Sequence, residues 1–120
     1  MSLDQYVSKI EPGSTIVHNH PGDRSFSSTD FHLAGLTSPA ELIASGPTYD
    51  FSLRVGENGW PSASVMQETY LAAQKRARLL LSKHFTDFED PKAQWALDHL
   101  TSRMAADDLG LTYSVEGVAP

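Results

Sequence analysis

The residues best suited to chemistry lie in one short stretch, Thr15-Ile-Val-His-Asn-His-Pro-Gly-Asp-Arg-Ser-Phe-Ser-Ser-Thr-Asp-Phe31. Ile16 and Val17 are β-branched and lead into His18-x-His20, so the segment reads as a short buried strand over about 14–19. Residues two apart on a strand share a face. Two rises of ~3.3 Å set the imidazoles roughly 6.6 Å apart at the backbone, close enough to converge on one ion. Pro21-Gly22 stops the strand, because proline gives no ladder donor and glycine permits a turn. Ser27-Ser28-Thr29-Asp30 then has the spacing of a helix start, with Ser27 as N-cap and Asp30 in the first turn. A carboxylate there can face back toward the strand end. His18, His20 and Asp30 thus form a candidate ligand set of two neutral imidazoles and one carboxylate. That set suits Zn2+, with a fourth position left for water. The same residues also fit a plain structural role, with Ser27 and Asp30 as the halves of a capping box and the histidines as ordinary strand-end residues.

His18-Asn19-His20-Pro21 followed by Ser27-x-x-Asp30 resembles the JAMM motif of the MPN/JAB domain, which also occurs in bacterial RadC-type proteins. The close match covers residues 15–34. Its wording is most similar to prokaryotic and phage versions, including domains appended to phage head morphogenesis proteins. The resemblance implies a cytidine-deaminase-like JAB fold, His18, His20 and Asp30 as zinc ligands, and Ser27 as the catalytic residue that helps hold the tetrahedral oxyanion. It implies hydrolysis of a peptide or isopeptide bond in a protein or peptide substrate. Two features depart from the family pattern. Six residues, Pro21 to Phe26, separate His20 from Ser27 where the family has seven. The family's general base is a Glu on an earlier strand several tens of residues upstream, yet only seventeen residues precede His18 and their only Glu is Glu11. Because Pro12-Gly13 follows it, Glu11 reads as a helix end or loop start. The upstream strand with its Glu is therefore expected to be missing from this chain, or the base to come from Glu41, Glu57, Glu116 or a partner chain.

A zinc site of this kind would bring the pKa of a bound water toward ~7. An oxyanion donor such as Ser27 is typically worth about 2.7–4 kcal/mol in enzymes where it has been measured, and a Glu would pass the proton to the leaving amine. The competing reading is a non-catalytic binding or structural module, phage- or prophage-associated, whose two C-terminal helices pair as a homodimer or dock a partner. His-Asn-His by its letters also suggests an HNH nuclease, but that motif spreads its residues over a longer ββα unit. A strand-borne His-x-His opens phosphoesterase barrels too, for which 120 residues are too few.

Length and composition support a single domain over residues 1–120 with one modest core. Apolar residues make up 40% and charged residues 20% of the chain, within the globular range. A net charge of −6 repels a phosphate backbone, so no nucleic-acid partner is expected. Lys75-Arg76 and Arg78 read as a solvated helix face. The chain has no cysteine, so any metal must use His and carboxylate. It carries no apolar run of the ~18 residues that span a bilayer, so no membrane partner is expected. With no signal-peptide pattern either, the expected location is cytoplasmic.

The elements that must position the site are legible in outline. Leu3, Tyr6, Val7 and Ile10 have helical spacing over 3–10. A site-bearing helix is expected from about 28 to 35, ending near Gly35, with His32 on its surface. Glu41–Ser45 reads as a second strand. Tyr49–Val55 alternates as a third, and Gly56-Glu-Asn-Gly59 turns the chain into a brief return at Trp60-Pro61. Trp60 is either a substrate platform or a satellite of the core. A long helix is expected from a Ser64/Gln67 capping box to about His84, with Met66, Tyr70, Ala73, Ala77, Leu80 and Leu81 on its core face. Asp90-Pro91 starts another, lined by Ala93, Ala96, Leu97, Leu100 and Met104 and closed by Gly110. Leu111–Val115 alternates as a last strand. His84 and His99 read as surface or capping histidines. The whole is an α+β chain: a small mixed sheet, a metal-site helix and two C-terminal helices.

Overall fold

The computed structural model describes residues 13–118. The helix expected over 3–10, and Glu11, lie outside these residues. Among the described residues the order is β1 (Thr15–Asn19), α1 (Ser28–Thr37), β2 (Glu41–Ser45), β3 (Tyr49–Arg54), α2 (Ala63–Leu81), α3 (Pro91–Leu109) and β4 (Thr112–Gly117). The strands form one mixed sheet in the order β1-β2-β3-β4. β1 runs parallel to β2, with His18 beside Ala44, and the other two pairings are antiparallel. A parallel pair needs a crossover, and α1 with its flanking loops supplies it. The α+β architecture with a small mixed sheet is as the sequence indicates.

Period-two alternation decides which face of the sheet is covered. Ile16, Leu42, Ala44, Phe51 and Leu53 point to one side and join Phe31, Ala34, Met66, Tyr70, Ala73, Ala105 and Ala106 in the core. Their neighbours Thr15, Val17 and Asn19 are exposed on the other side. His18 shares a face with Ile16 and so points toward the helices. α2 packs against both α1 and α3. No described helix is long and apolar enough to cross a membrane.

Several boundaries differ from expectation. α1 continues past Gly35 to Thr37 and ends at Ser38, which takes the left-handed conformation (φ 48°) and donates its N–H to the Ala34 carbonyl. Gly35 serves packing instead, since a Cβ there would sit 2.6 Å from the Ala63 Cα. The start of α2 can therefore lie directly against α1. The N-cap of α2 is Ser62, whose hydroxyl accepts from the Val65 N–H, two residues before the expected Ser64. Ser62 is the first hydroxyl after Pro61 and takes the capping role. The helix ends at Leu81, and the buried stripe Met66, Tyr70, Ala73, Ala77 stops a turn earlier: Leu80 is 51% exposed and Leu81 half-buried, so neither is core. α3 begins at the Asp90 N-cap with Pro91 and closes on Gly110, as expected. Its buried face is turned, however. Ala93, Leu97, Asp98, Thr101, Ser102, Ala105 and Ala106 are buried, while Ala96, Leu100 and Met104 are half-buried.

The segment at Trp60-Pro61 forms no return strand. Trp60 packs on the core and donates its indole N–H to the Pro39 carbonyl at 2.7 Å, which makes it a core satellite. Lys75, Arg76 and Arg78 form an exposed face, with Arg76 paired to Asp108 and the Arg78 guanidinium 4.9 Å from the Phe88 ring centre.

Candidate metal centre

The site begins where β1 ends. The His20 N–H donates to the Ser45 carbonyl at 2.8 Å, which carries the parallel ladder one residue beyond β1. His18 and His20 therefore project from the same side of an extended segment, and their ring centres lie 6.3 Å apart. Asp23 then turns the chain with φ 57°. Its N–H donates to the His20 carbonyl at 3.0 Å. Its carboxylate accepts from the Thr48 and Tyr49 N–H groups at 2.8 and 3.0 Å. Burial pushes the Asp23 carboxyl up, but these two donors outweigh it and hold the group below the ordinary range. Only glycine fits at position 46, where a Cβ would meet the Asp23 carboxylate oxygen at 2.3 Å.

The loop is fastened from the helix side as well. The Ser25 hydroxyl donates to Ser102 Oγ at 3.1 Å and shares a 2.7 Å bond with the Tyr113 hydroxyl. The Phe26 carbonyl accepts from the Tyr70 hydroxyl at 2.6 Å and from the Ser102 hydroxyl at 3.4 Å. Burial pushes both the Tyr70 and Tyr113 phenols up, so both stay protonated donors across the neutral range. Ligand loop, helices and β4 are thus one hydrogen-bonded unit, in which the buried hydroxyls of Ser25, Tyr70 and Ser102 find partners.

Asp30 closes the site. His18 Nδ1 lies 2.9 Å from Asp30 Oδ1, and His20 Nε2 lies 3.8 Å from Asp30 Oδ2. One ligand atom from each of the three residues falls within 4.8 Å of the others. A tetrahedral zinc ion with bonds near 2.0–2.2 Å wants donor atoms about 3.3–3.5 Å apart, so His18 and Asp30 would spread slightly from 2.9 Å while wider separations, up to 4.8 Å, would close in. His20 Nδ1 is 2.8 Å from the Arg24 carbonyl. A carbonyl only accepts, so Nδ1 carries the proton and Nε2 presents its lone pair toward Asp30. This is the outer arrangement that metal-binding histidines use to fix their tautomer. The three residues could therefore hold a metal ion.

The electrostatics favour positive charge at the site. The hydrogen bond that His18 Nδ1 donates to the Asp30 carboxylate raises the His18 pKa above its ordinary value and outweighs the lowering by burial. Burial alone would push Asp30 up. The bonds from His18 and the Ser27 N–H overcome it and leave the carboxyl below its ordinary range, hence ionised. Ser27 and Asp30 form a complete capping box. The Ser27 hydroxyl accepts from the Asp30 N–H, and Asp30 Oδ2 accepts from the Ser27 N–H at 2.8 Å and its hydroxyl at 3.1 Å. Capping and ligand convergence are thus one arrangement: the cap fixes the carboxylate that completes the site.

The candidate bases are not here. Glu41 begins β2 at the end remote from His18, where it binds Ser52 and Arg54. Glu116 joins Glu41 in lining a separate cavity of about 220 Å³. Glu57 sits in the turn after β3. None of these three lines the cleft of about 560 Å³ that holds His20, Ser27 and Asp30. The second carboxylate lining it is Asp98 of α3. Asp98 accepts from Arg24 Nε at 2.6 Å. Burial pushes its carboxyl up, and the guanidinium offsets part of that.

Sequence reasoning missed Arg24 and Asp98. The available signal was a polar i, i+4 pair, Asp98 and Ser102, on a helix whose apolar stripe alone seemed to face inward. His32 and His99 were also misplaced. His32 is half-buried with Nδ1 buried and unbonded among the described residues. His99 stacks on Trp95 and bonds the Tyr113 hydroxyl at 3.0 Å. His84 is exposed, as expected. No family model, no curated protein and no solved structure matches the chain.

Proposed function

We propose that this chain is a zinc-dependent hydrolase of amide bonds, peptide or isopeptide, built on a JAMM-like site and a JAB-like sheet. The observation that carries the reading is the meeting of His18, His20 and Asp30 at one point, with the His20 tautomer already set by the Arg24 carbonyl. A cleft of about 560 Å³ lined by His20, Ser27 and Asp30 lies beside them and offers room for a peptide segment. Zinc held by these three side chains would supply a Lewis acid and a water acidified toward neutral pH.

The chain's own residues supply the rest. Ser27 is exposed at the cleft wall, and turning its hydroxyl away from Asp30 would let it donate to a developing oxyanion while its N–H keeps the carboxylate in place. Asp30, ionised and capped, keeps both imidazoles aimed inward. Hydrolysis adds water across the amide C–N bond and releases an acid and an amine, so a proton must cross to the nitrogen. Asp98 lines the cleft, but its bond to Arg24 makes it an anchor. The proton carrier of this reading is a Glu from the N-terminal residues or from another chain.

Zinc stoichiometry tests the proposal directly. The wild-type protein should bind one equivalent, and His20→Ala should bind none above background. Equal, substoichiometric zinc in both proteins would sink it. The competing reading, a non-catalytic module paired through its helices, draws on the exposed Leu79 and Leu80 at the end of α2. Val65 shares their side of the helix, but Ala72 and Arg76 lie between, so the apolar stripe is broken. Sedimentation of a zinc-free, inactive dimer would favour that reading.

A further inference from the structure

The ligand loop is held at Asp23 by backbone N–H groups and at Ser25 and Phe26 by hydroxyls from α2, α3 and β4. An additional ion pair at Arg24 is redundant for holding it. The pair is also costly, because Asp98 is only 8% exposed and buried charges lose hydration that a single partner seldom restores. What it does achieve is geometric. Asp98 takes the Nε edge of the guanidinium at 2.6 Å, and Gln94 touches Nη1 at a weak 3.4 Å. Nη2 and the second N–H of Nη1 are left as a fork on a side chain that is 47% exposed in the cleft wall. Among the described residues Arg24 is also the only Lys or Arg lining that cleft. A planar fork held from behind is the form in which arginine recognises carboxylates with two parallel hydrogen bonds.

We infer that Arg24, anchored by Asp98, is a carboxylate-docking residue beside the metal centre, and that the substrates are amides with a free carboxylate close to the scissile bond. The inference rests on the hydrolase reading for the word substrate, but carboxylate binding itself does not need the metal. Such a substrate is a peptide cut near its C-terminus, or one with an acidic side chain beside the cleaved amide.

The test uses N-acetyl-alanine and its uncharged amide, titrated into the full chain stripped of metal, with the Ser25 backbone N–H resonance, present in wild type and in every Arg24 variant, followed by NMR. The carboxylate should shift that resonance saturably, and the amide should not. Arg24→Gln should weaken carboxylate binding by about 10–100-fold, the range of a charge-assisted bidentate contact. Arg24→Gln with Asp98→Asn removes both charges together, so a binding loss in that double variant is not caused by a stranded buried carboxylate. Equal binding of acid and amide, or wild-type carboxylate binding by a folded double variant, overturns the inference. In the zinc-loaded protein, Arg24→Gln should raise KM for a free-carboxylate peptide by a similar factor, with kcat changed less and the amidated peptide unaffected. Carboxylate binding in a protein that takes up no zinc would sink the hydrolase reading and leave this site standing. Activity on both peptides alike, with no binding loss, would do the reverse.

Discussion

Histidine occupies two clusters on the helix-facing side of the sheet, one at the end of β1 and one against β4. In the first, His18 and His20 converge on Asp30, His20 and Asp30 line the cleft, and the carboxylate raises the pKa of His18. In the second, His99 lies between Trp95 and Tyr113, and burial lowers its pKa with help from Arg103. Both rings are half-buried. What separates them is the partner. A carboxylate with its remaining lone pairs capped by Ser27 makes a cation, proton or metal, welcome. A phenol and an indole offer hydrogen bonding and stacking but no countercharge. The same side chain is thus a ligand candidate at one place and a packing element at the other.

The widest separation between the clusters should appear with zinc. At free zinc about a thousandfold above Kd, selective binding to the folded chain adds about 4 kcal/mol to the unfolding free energy. Wild type and His99→Ala should both show that increment in denaturant titrations, and Asp30→Ala should show none. An equal gain in Asp30→Ala would mean that the ion sits elsewhere.

Truncation in the second cluster should act on stability alone. His99→Ala removes the stack on Trp95 and the bond to Tyr113 and should cost about 1–2 kcal/mol without changing zinc uptake. Tyr113→Phe strips partners from both His99 and Ser25 and should cost a similar amount. A loss of zinc binding in Tyr113→Phe would show that the hydroxyl chain reaches the metal centre through Ser25.

The pH dependence of the metal-free protein should carry opposite signs from the two clusters. His18 has a folded-state pKa above its ordinary 6.5. Its linkage therefore stabilises fully below 6.5 and is lost as pH rises through the folded value. His99 has a folded-state pKa below 6.5, so stability is unaffected above 6.5 and falls as pH drops from there through the folded value. Urea unfolding on either side of 6.5 should show His18→Gln losing the low-pH gain and His99→Gln losing the low-pH penalty. Identical slopes in both variants would erase the electrostatic distinction. The smallest effect belongs to His84, exposed in the turn after α2, where His84→Ala should stay within about 0.5 kcal/mol of wild type.

The parts of this arrangement that are local in sequence could be read from the sequence. His18-x-His20 shares a strand face because the side-chain period of a strand is two. Ser27-x-x-Asp30 caps a helix because those two side chains reach each other's backbone within one turn. Both carry over intact into the fold, and so do Asp90-Pro91 as a start and Gly110 as a stop. Readings that depended on what lies opposite an element fared differently. The stripe of α3 was assigned by apolar residues alone, whereas the helix turns Asp98 and Ser102 inward because the ligand loop offers Arg24 and Ser25 as partners. Gly35 has the composition of a helix stop, yet it is spent on the approach of Ala63.

By itself, then, the chain determined its four strands, the starts of α1 and α3 and the three side chains of the candidate centre, since each depends on contacts within a few residues. The tertiary structure alone decided that Glu41, Glu57 and Glu116 stand away from the cleft and that Asp98, seventy-four positions along from Arg24, stands in it. Burial and countercharge are properties of what the fold brings alongside a residue. No pattern of spacing within one segment records them.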